Sequence, residues 1–325
     1  MKKYFSFLVF IFILIWCNNT WIKWDKQEFI NNDIENNVVE KIVNKNIYTS
    51  FYPIYFLTKS FLWDNVNIIN LVPAWWDPHD YEPTLRQMWD LQKSDLIILN
   101  WLWIEHYEEK LIENIWDEKI ILLSEKLSNL IDLSENNEDE DHEDEDHKEE
   151  NSHEHWNIDP HTWLSPKIYL EMANILALEL EKRWYTNLDK TIIKNLEQLN
   201  NEYSEVLSNC SKYEIITSHE AFWYLARDYN FSQHAIMWIS PEEEPSAKDI
   251  SWVIDLIRRE KVKYIFSEEF VSSKFSDTIK KETWVEVLNL HPLETLSNEQ
   301  EFIWDNYISI MEKNLEQLKI WLECK

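Results

Sequence analysis

Short apolar segments alternate with amphipathic ones along most of this chain, and this alternation constrains the fold more than any other feature. Residues 67–72 and 95–100 are apolar runs of strand length, and residues 84–93 between them have helical periodicity. The same layout returns between residues 213 and 325. Strands that alternate with helices predict parallel sheets, because a parallel strand pair needs a long crossover connection. The sequence therefore predicts an α/β protein.

Two helical segments separate the two alternating regions. Residues 167–183 and 188–208 carry apolar side chains at helical spacing, and the second segment contains no proline. At 1.5 Å per residue this second helix would run for about 30 Å. We predict a rigid helical connection over residues 167–210, between an N-terminal lobe at 44–166 and a C-terminal lobe at 211–325.

The first 17 residues have the features of an export signal. Two lysines precede an apolar run that ends at Cys17. A membrane-spanning anchor is the alternative, but the run is only about a dozen residues long against the roughly 20 needed to cross a bilayer. Leu14–Cys17 resembles a lipoprotein lipobox, except that Trp16 stands where that motif has a small residue. We predict lipidation at Cys17, a tether over residues 18–43, and a location at the outer face of the cytoplasmic membrane or in the periplasm.

The charge of the chain excludes one class of partner and favours another. A formal net charge of −29 leaves nothing to neutralise phosphates, so we expect no nucleic-acid partner, and it suits the attraction of a cation. Residues 135–156 are dense in acidic side chains and are predicted to be a mobile loop. An auxiliary metal-binding role and incidental histidines both fit this loop, whose histidines are His142, His147, His153 and His155.

Three further histidines lie in restrained settings. The triplet Asp-Pro-His occurs twice, ending at His79 and at His161, and proline restricts the backbone of itself and of the residue before it. His219 lies in the partly apolar segment 217–222. Each of the three lies past the carboxyl end of a predicted strand, which is where open α/β sheets bind ligands. A structural histidine is the alternative for each alone, whereas together they predict one metal site.

The chain contains no glycine and 19 tryptophans. Average usage would give roughly 20 glycines in a chain of this length. Trp101, Trp103 and Trp284 occupy turns or a helix end, where a residue of positive φ is usual. Some bacterial lineages read the codon UGA as glycine, and we hypothesise that most of these tryptophans stand for glycine.

Four motifs in this order resemble a known family, the zinc/manganese solute-binding proteins of bacterial ABC transporters, some of which are called metal-binding adhesin-like lipoproteins. The motifs are DPHDYEPT at 77–84, DPHTWLSP at 159–166, TSHEAF at 217–222 and ISPEEEPS at 239–246. The similarity covers most of residues 44–325. It implies two lobes, each a small parallel sheet flanked by helices, joined by a long rigid helix with a metal site in the cleft. It also implies a monomer that delivers metal to an ABC permease. In this family, glycines align with Trp75, Trp101, Trp223, Trp238 and Trp284. A true tryptophan follows Asp-Pro-His in the family, so Trp163 is the expected exception to the glycine hypothesis.

The resemblance implies the metal ligands. The first three match His79, His161 and His219, and the fourth is a carboxylate for which Glu294 is our choice. Its rivals are His291, Glu268 and Glu269. Three imidazoles with one carboxylate suit Zn²⁺, whereas Mn²⁺, the alternative, tolerates more oxygen ligands. Manganese-type members tend to carry Glu where His219 stands, and a histidine-rich loop is typical of zinc-type members.

A metallohydrolase and a surface adhesin are the two other functional classes to which this sequence could belong. A metallohydrolase could use three histidines and an open position to activate water, but the His-Glu-x-x-His signature is absent, so we predict no enzyme. A surface adhesin is the other alternative, and nothing in the sequence excludes it.

His106 and His234 are predicted to be packed or surface residues. Cys210 and Cys324 would pair in an oxidising compartment, and two free thiols are the alternative.

Overall fold

The computed structural model describes most of the chain beyond the predicted tether: residues 45–62, 66–74, 76–115, 117–127, 129–131, 158–183, 185–236, 247–267 and 273–325. All of these lie within one compact unit that spans residues 42–325. The predicted export signal with Cys17, the tether, the loop at 135–156 and the rivals Glu268 and Glu269 lie outside the described residues. None of the helices in the described stretches is long and apolar enough to span a bilayer.

The N-terminal lobe is built on a four-stranded parallel sheet of order β2-β1-β3-β4. Strand β1 is an interior strand of this sheet, since its residue Tyr48 pairs with Ile69 of β2 on one side and with Ile97 of β3 on the other. All four residues of β3 are buried, as expected for a parallel strand covered on both faces. The elements are β1 Asn46–Thr49, α1 Tyr52–Leu62, β2 Asn67–Asn70, α2 Leu85–Lys93, β3 Leu96–Leu99, α3 Glu108–Asn114 and β4 Ile120–Leu122.

The connecting region consists of two helices of 17 residues, α4 (Pro166–Lys182) and α5 (Thr191–Leu207). Ser165 caps α4 by accepting the N–H of Ile168, and a proline follows it at the first helical position. The two helices pack against each other, and α5 also packs against α1. The predicted helical segments are therefore confirmed, with ends that differ by at most three residues.

The C-terminal lobe repeats the alternation of strands and helices. Its ladders β5-β6 and β7-β8 are both parallel, and β5 lies beside β7. The elements are β5 Glu214–Thr217, α6 Trp223–Asp228, β6 Ser232–Ala235, α7 Ala247–Glu260, β7 Tyr264–Ser267, α8 Ser273–Thr283, β8 Glu286–Asn289, α9 Asn298–Phe302 and α10 Tyr307–Trp321. The lobe closes with two helices, α9 and α10, and Asn306 caps the second by accepting the N–H groups of Ile308 and Ser309. Helix α10 packs against α5 of the connection.

A disulfide joins Cys210 to Cys324. It ties the end of α10 to the start of the C-terminal lobe, and backbone hydrogen bonds at both ends support the same contact. The N–H of Lys325 donates to the carbonyl oxygen of Asn209 at 3.1 Å, and that of Ser211 donates to Leu322 at 3.0 Å. Backbone hydrogen bonds and the disulfide therefore both hold the C-terminal residues to the lobe.

Several tryptophans adopt a backbone conformation that favours glycine. Trp101, Trp103, Trp284 and Trp304 have φ values of 76°, 68°, 63° and 63°. Trp284 and Trp304 are 89% and 87% exposed, so packing of their side chains does not offset the cost of a positive φ. This agrees with the hypothesis that glycine belongs at such positions. Trp75 and Trp238 lie outside the described residues.

Candidate metal centre

Four side chains from distant parts of the sequence converge on one buried point. They are His79, His161, His219 and Glu294, and their ligating atoms all lie within 4.8 Å of one another. Glu294 Oε1 lies 3.5 Å from Nε2 of His79, 3.3 Å from that of His161 and 3.6 Å from that of His219. The Nε2 atoms of His79 and His161 are 3.2 Å apart.

These four separations, between 3.2 and 3.6 Å, are close to the edge length of a small tetrahedron. Four ligands around Zn²⁺ at bond lengths of about 2.0–2.1 Å lie about 3.3 Å from one another. All four side chains are buried, with 0–7% of each residue exposed. The cluster can therefore hold one ion of about this size away from solvent.

The two Asp-Pro-His turns are built in the same way. In each, the aspartate side chain accepts the backbone N–H of the histidine two residues later, at 2.8 Å for Asp77 with His79 and at 2.8 Å for Asp159 with His161. This short turn, with a proline at its centre, fixes the backbone that carries each imidazole. His161 then leads into the 3₁₀ turn Thr162–Leu164 and helix α4.

Asp159 also orients the ring of His161. Its Oδ1 lies 2.6 Å from His161 Nδ1, and because a carboxylate only accepts, the proton belongs on Nδ1 and the Nε2 lone pair faces the cluster. Burial lowers the pKa of His161, but the carboxylates of Asp159 and Glu294 outweigh it and leave that pKa raised. A metal ion in the cluster would bind the Nε2 lone pair and so compete with protonation of that nitrogen, while Nδ1 keeps its proton toward Asp159.

His219 and Glu294 reach the cluster from the C-terminal lobe. His219 lies two residues after β5, and its carbonyl oxygen accepts from Thr217 Oγ1 at 2.8 Å and from Gln233 Nε2 at 2.9 Å. Glu294 follows β8 in a turn where Leu293 has a φ of 59°. Burial raises the pKa of Glu294, but the three imidazoles around its carboxylate outweigh burial and hold that pKa well below the usual value. Glu294 is therefore a carboxylate in this setting.

The structure places the other histidines elsewhere. His291 is buried, but its Nδ1 accepts the N–H of Leu293 at 2.9 Å and its Nε2 lies 3.4 Å from Gln300 Oε1, so it supports the turn that carries Glu294. His106 is exposed. His234 is partly buried on β6, with its Nε2 3.9 Å from a carboxylate oxygen of Glu214. The sequence-based reading of these last two as packed or surface residues agrees with these positions.

Sequence reasoning did not identify the side chain that joins the two ligand-bearing turns. The indole Nε1–H of Trp163 donates to the carbonyl oxygen of Pro292 at 2.8 Å, and the Tyr307 hydroxyl donates to the carbonyl oxygen of Trp163 at 2.6 Å. Trp163 is fully buried, and its ring centroid lies 5.1 Å from that of His161. The turn of His161 is thereby attached to the turn of Glu294.

The donor set differs from that of a hydrolytic zinc site. Three imidazole nitrogens and one carboxylate oxygen fill the four positions of a tetrahedral ion, whereas a hydrolytic zinc site keeps one position for water. Neutral imidazole suits Zn²⁺ better than it suits the harder Mn²⁺. The arrangement is that of a closed site for a borderline-soft divalent cation.

Comparisons with known proteins agree with this geometry. Residues 47–320 match the family model described as ZnuA, zinc-uptake complex component A periplasmic. The high-affinity zinc uptake system protein ZnuA of Bacillus subtilis is 36% identical over 280 residues, which cover 84% of this chain and 86% of that protein.

Two streptococcal relatives extend the comparison. The zinc-binding lipoprotein AdcA of Streptococcus pneumoniae is 34% identical over 84% of this chain and 55% of AdcA, so the chain spans about half the length of that relative. The Zn(II)-bound ZnuA-like domain of AdcA matches with a TM-score of 0.68 at 30% identity, over 86% of this chain and 99% of that domain. The laminin-binding protein of Streptococcus agalactiae, described as an adhesin with metal-transporting activity, matches with a TM-score of 0.68 at 27% identity, again over 86% and 99%.

Proposed function

This chain belongs to the zinc-uptake complex component A family, and on that basis we propose that it captures Zn²⁺ outside the cytoplasm and delivers it to an ABC-type importer. One observation carries the proposal: three imidazole nitrogens and a carboxylate oxygen, the donor types that Zn²⁺ takes in four-coordinate sites, lie buried within 4.8 Å of one another. The relatives described as zinc-binding or zinc-uptake proteins support the choice of cargo. Manganese or iron is the alternative cargo.

Capture uses groups that are already in place. Asp159 holds the His161 ring with Nε2 toward the cluster, and Glu294 supplies one negative charge. Because the ligands are buried and restrained before the ion arrives, little conformational entropy is lost on binding. Neutral imidazoles leave the bound ion with a net positive charge, which the neighbouring Asp77 and Asp159 carboxylates offset.

Release follows from where the ligands originate. His79 and His161 belong to the N-terminal lobe, whereas His219 and Glu294 belong to the C-terminal lobe. A small separation of the lobes would remove two of four ligands and weaken the site. We infer that the importer's permease exploits this by engaging both lobes, with the carrier acting as a monomer and without catalysis.

The carrier is proposed to act outside the cytoplasm while attached to a membrane through lipid on Cys17. Relatives described as lipoproteins support the anchor. Membrane fractionation tests it: the Cys17→Ser variant should leave the membrane fraction, and unchanged membrane association and processing would contradict the anchor.

The loop histidines His142, His147, His153 and His155 are proposed to bind additional zinc weakly.

An adhesive role is the second candidate. The observation in its favour is the fold match to the laminin-binding protein of Streptococcus agalactiae. A solid-phase binding assay with laminin, run with and without zinc, tests it, and the absence of saturable binding would exclude laminin as a ligand.

Calorimetric zinc titration tests the main proposal. His219→Ala removes one of four ligands and should raise the zinc Kd by more than about 100-fold, because changes outside the ligand set already cost about 10–100-fold. His234→Ala is the matched control, since that partly buried histidine lies outside the cluster and should leave the Kd unchanged. Equal losses in the two variants would contradict this site, and turnover in a hydrolase assay would contradict a carrier.

A further inference from the structure

The side-chain amide of Asn100 holds the residues on both sides of His161. Its Nδ2 donates to the carbonyl oxygen of Pro160 at 2.9 Å, and its Oδ1 accepts from Thr162 Oγ1 at 3.1 Å. Asn100 is the first residue after β3 and is fully buried. It therefore links the central strand region of the N-terminal lobe to the turn that carries one candidate metal ligand.

Every hydrogen-bonding position of this amide is used. Nδ2 also donates to the carbonyl oxygen of Trp101 at 3.0 Å, and Oδ1 also accepts from Ser124 Oγ at 3.2 Å. An asparagine side chain has two donor hydrogens and two acceptor lone pairs, so four partners satisfy it completely. Rotating the amide by 180° would set its oxygen against two carbonyl oxygens, so its orientation is fixed.

The backbone of Asn100 is held as firmly as its side chain. Its N–H donates to Glu105 Oε1 at 2.7 Å, and its carbonyl oxygen accepts the N–H of Ser124 at 3.0 Å. Glu105 and Ser124 are themselves buried. Hydrogen bonds near the ends of the neighbouring strands β3 and β4 therefore fix the backbone of Asn100. Its side chain in turn fixes the turn of His161 relative to these strands.

We propose that Asn100 is a positioning residue for metal capture, which acts through the backbone of His161 and does not touch the ion. This rests on the proposed function. The amide holds the peptide carbonyl before His161 and the side-chain hydroxyl of the residue after it, so that the imidazole Nε2 stays 3.3 Å from Glu294 Oε1 and 3.2 Å from His79 Nε2. Without it, the turn would gain freedom in the metal-free protein, and ordering it again would cost binding free energy.

Two substitutions at different ends of the same contact test this. Asn100→Ala removes the amide, and Thr162→Val removes only the hydroxyl that donates to it, in a side chain of nearly the same shape. Each should raise the zinc Kd by about 10–100-fold and accelerate dissociation. Thr162→Ser keeps the hydroxyl and should restore the wild-type Kd. If Asn100→Ala does not fold, the Thr162 pair still decides the matter.

A matched control separates positioning from general stability. The buried Tyr203 hydroxyl donates to the carbonyl oxygen of Met311 at 2.7 Å, and neither residue belongs to the cluster, so Tyr203→Phe loses one buried hydrogen bond outside the ligand set. It should lower the urea midpoint of the metal-free protein and leave the zinc Kd unchanged. The visible absorption of Co²⁺-loaded protein reports ligand geometry and should change in Asn100→Ala and Thr162→Val only.

The outcomes are distinct. An unchanged Kd and an unchanged Co²⁺ spectrum in Thr162→Val and Asn100→Ala, together with a lower urea midpoint like that of Tyr203→Phe, would overturn the positioning role. The proposed function fails separately, in the wild-type protein, if zinc is bound more weakly than Mn²⁺. In that case the same variants are compared with the ion that binds best. A wild-type protein that binds neither ion would refute both.

Discussion

Replacing Trp284 with glycine should stabilise this protein. Trp284 follows helix α8 with a φ of 63°, and its N–H donates to the carbonyl oxygen of Lys280 at 2.8 Å, which is the left-handed helix end that glycine usually occupies. The indole is 89% exposed, so little packing is lost when it is removed. The change in the free energy of unfolding therefore comes mainly from the backbone conformation at this position.

The magnitude follows from two opposing terms. A residue with a Cβ loses roughly 1–2 kcal/mol in the left-handed region. Glycine recovers this but loses roughly 0.5–1 kcal/mol more conformational entropy on folding. We expect Trp284→Gly to raise the free energy of unfolding by about 0.5–1 kcal/mol, which urea unfolding resolves as a higher midpoint with an unchanged slope.

Trp252→Gly is the matched control. Trp252 is also exposed, at 48%, but it lies inside helix α7, where glycine costs about 1 kcal/mol relative to a good helix former. The same substitution should therefore have opposite signs at the two positions. Destabilisation of similar size at both would refute the backbone reasoning. Sequencing the gene tests the decoding hypothesis separately, and UGG codons at Trp16, Trp75 and Trp284 would refute it.

Three further outcomes are expected. Trp163→Phe leaves the buried Pro292 carbonyl oxygen without its indole donor, which should cost about 1–3 kcal/mol in urea unfolding and weaken zinc binding by detaching the turn of His161 from that of Glu294. An unchanged Kd would show that the link is structural only. Burial, and next the charge of Glu105, raises the pKa of Glu108 to about 8 from 4.5. The folded protein then holds a proton that the unfolded chain has lost, so stability should fall as pH rises from 4.5 towards 8, by up to about 1.4 kcal/mol per pH unit, and Glu108→Gln should flatten that slope. Deleting residues 136–155 should reduce the number of zinc ions bound at neutral pH in calorimetry while the tight site persists, because the four clustered side chains lie outside that loop. Loss of the tight site with the loop would place a ligand within it.

Local features of the sequence determined the fold class and placed the connecting helices to within three residues. Alternating apolar and amphipathic segments depend on residues a few positions apart, so they predict strands and helices without knowledge of the rest of the chain. Helix ends follow the same rule. Thr84 accepts the N–H of Gln87 and Ser165 that of Ile168, and both helices begin at the next residue. The Asp-Pro-His turns are equally local, since each aspartate bonds the histidine two residues later.

Only the tertiary structure decided which side chains share one point. His291 and Glu294 are three residues apart and were both candidates, and the turn at Leu293 directs Glu294 to the three imidazoles while His291 bonds the backbone. Asn100 and Pro160 are 60 positions apart, and Trp163 and Pro292 are 129 apart. Such contacts depend on where several strand ends meet in space, and no spacing along the chain encodes that. The sequence alone thus determined the restrained histidines, whereas packing of the two lobes selected the carboxylate beside them and the buried amide that supports them.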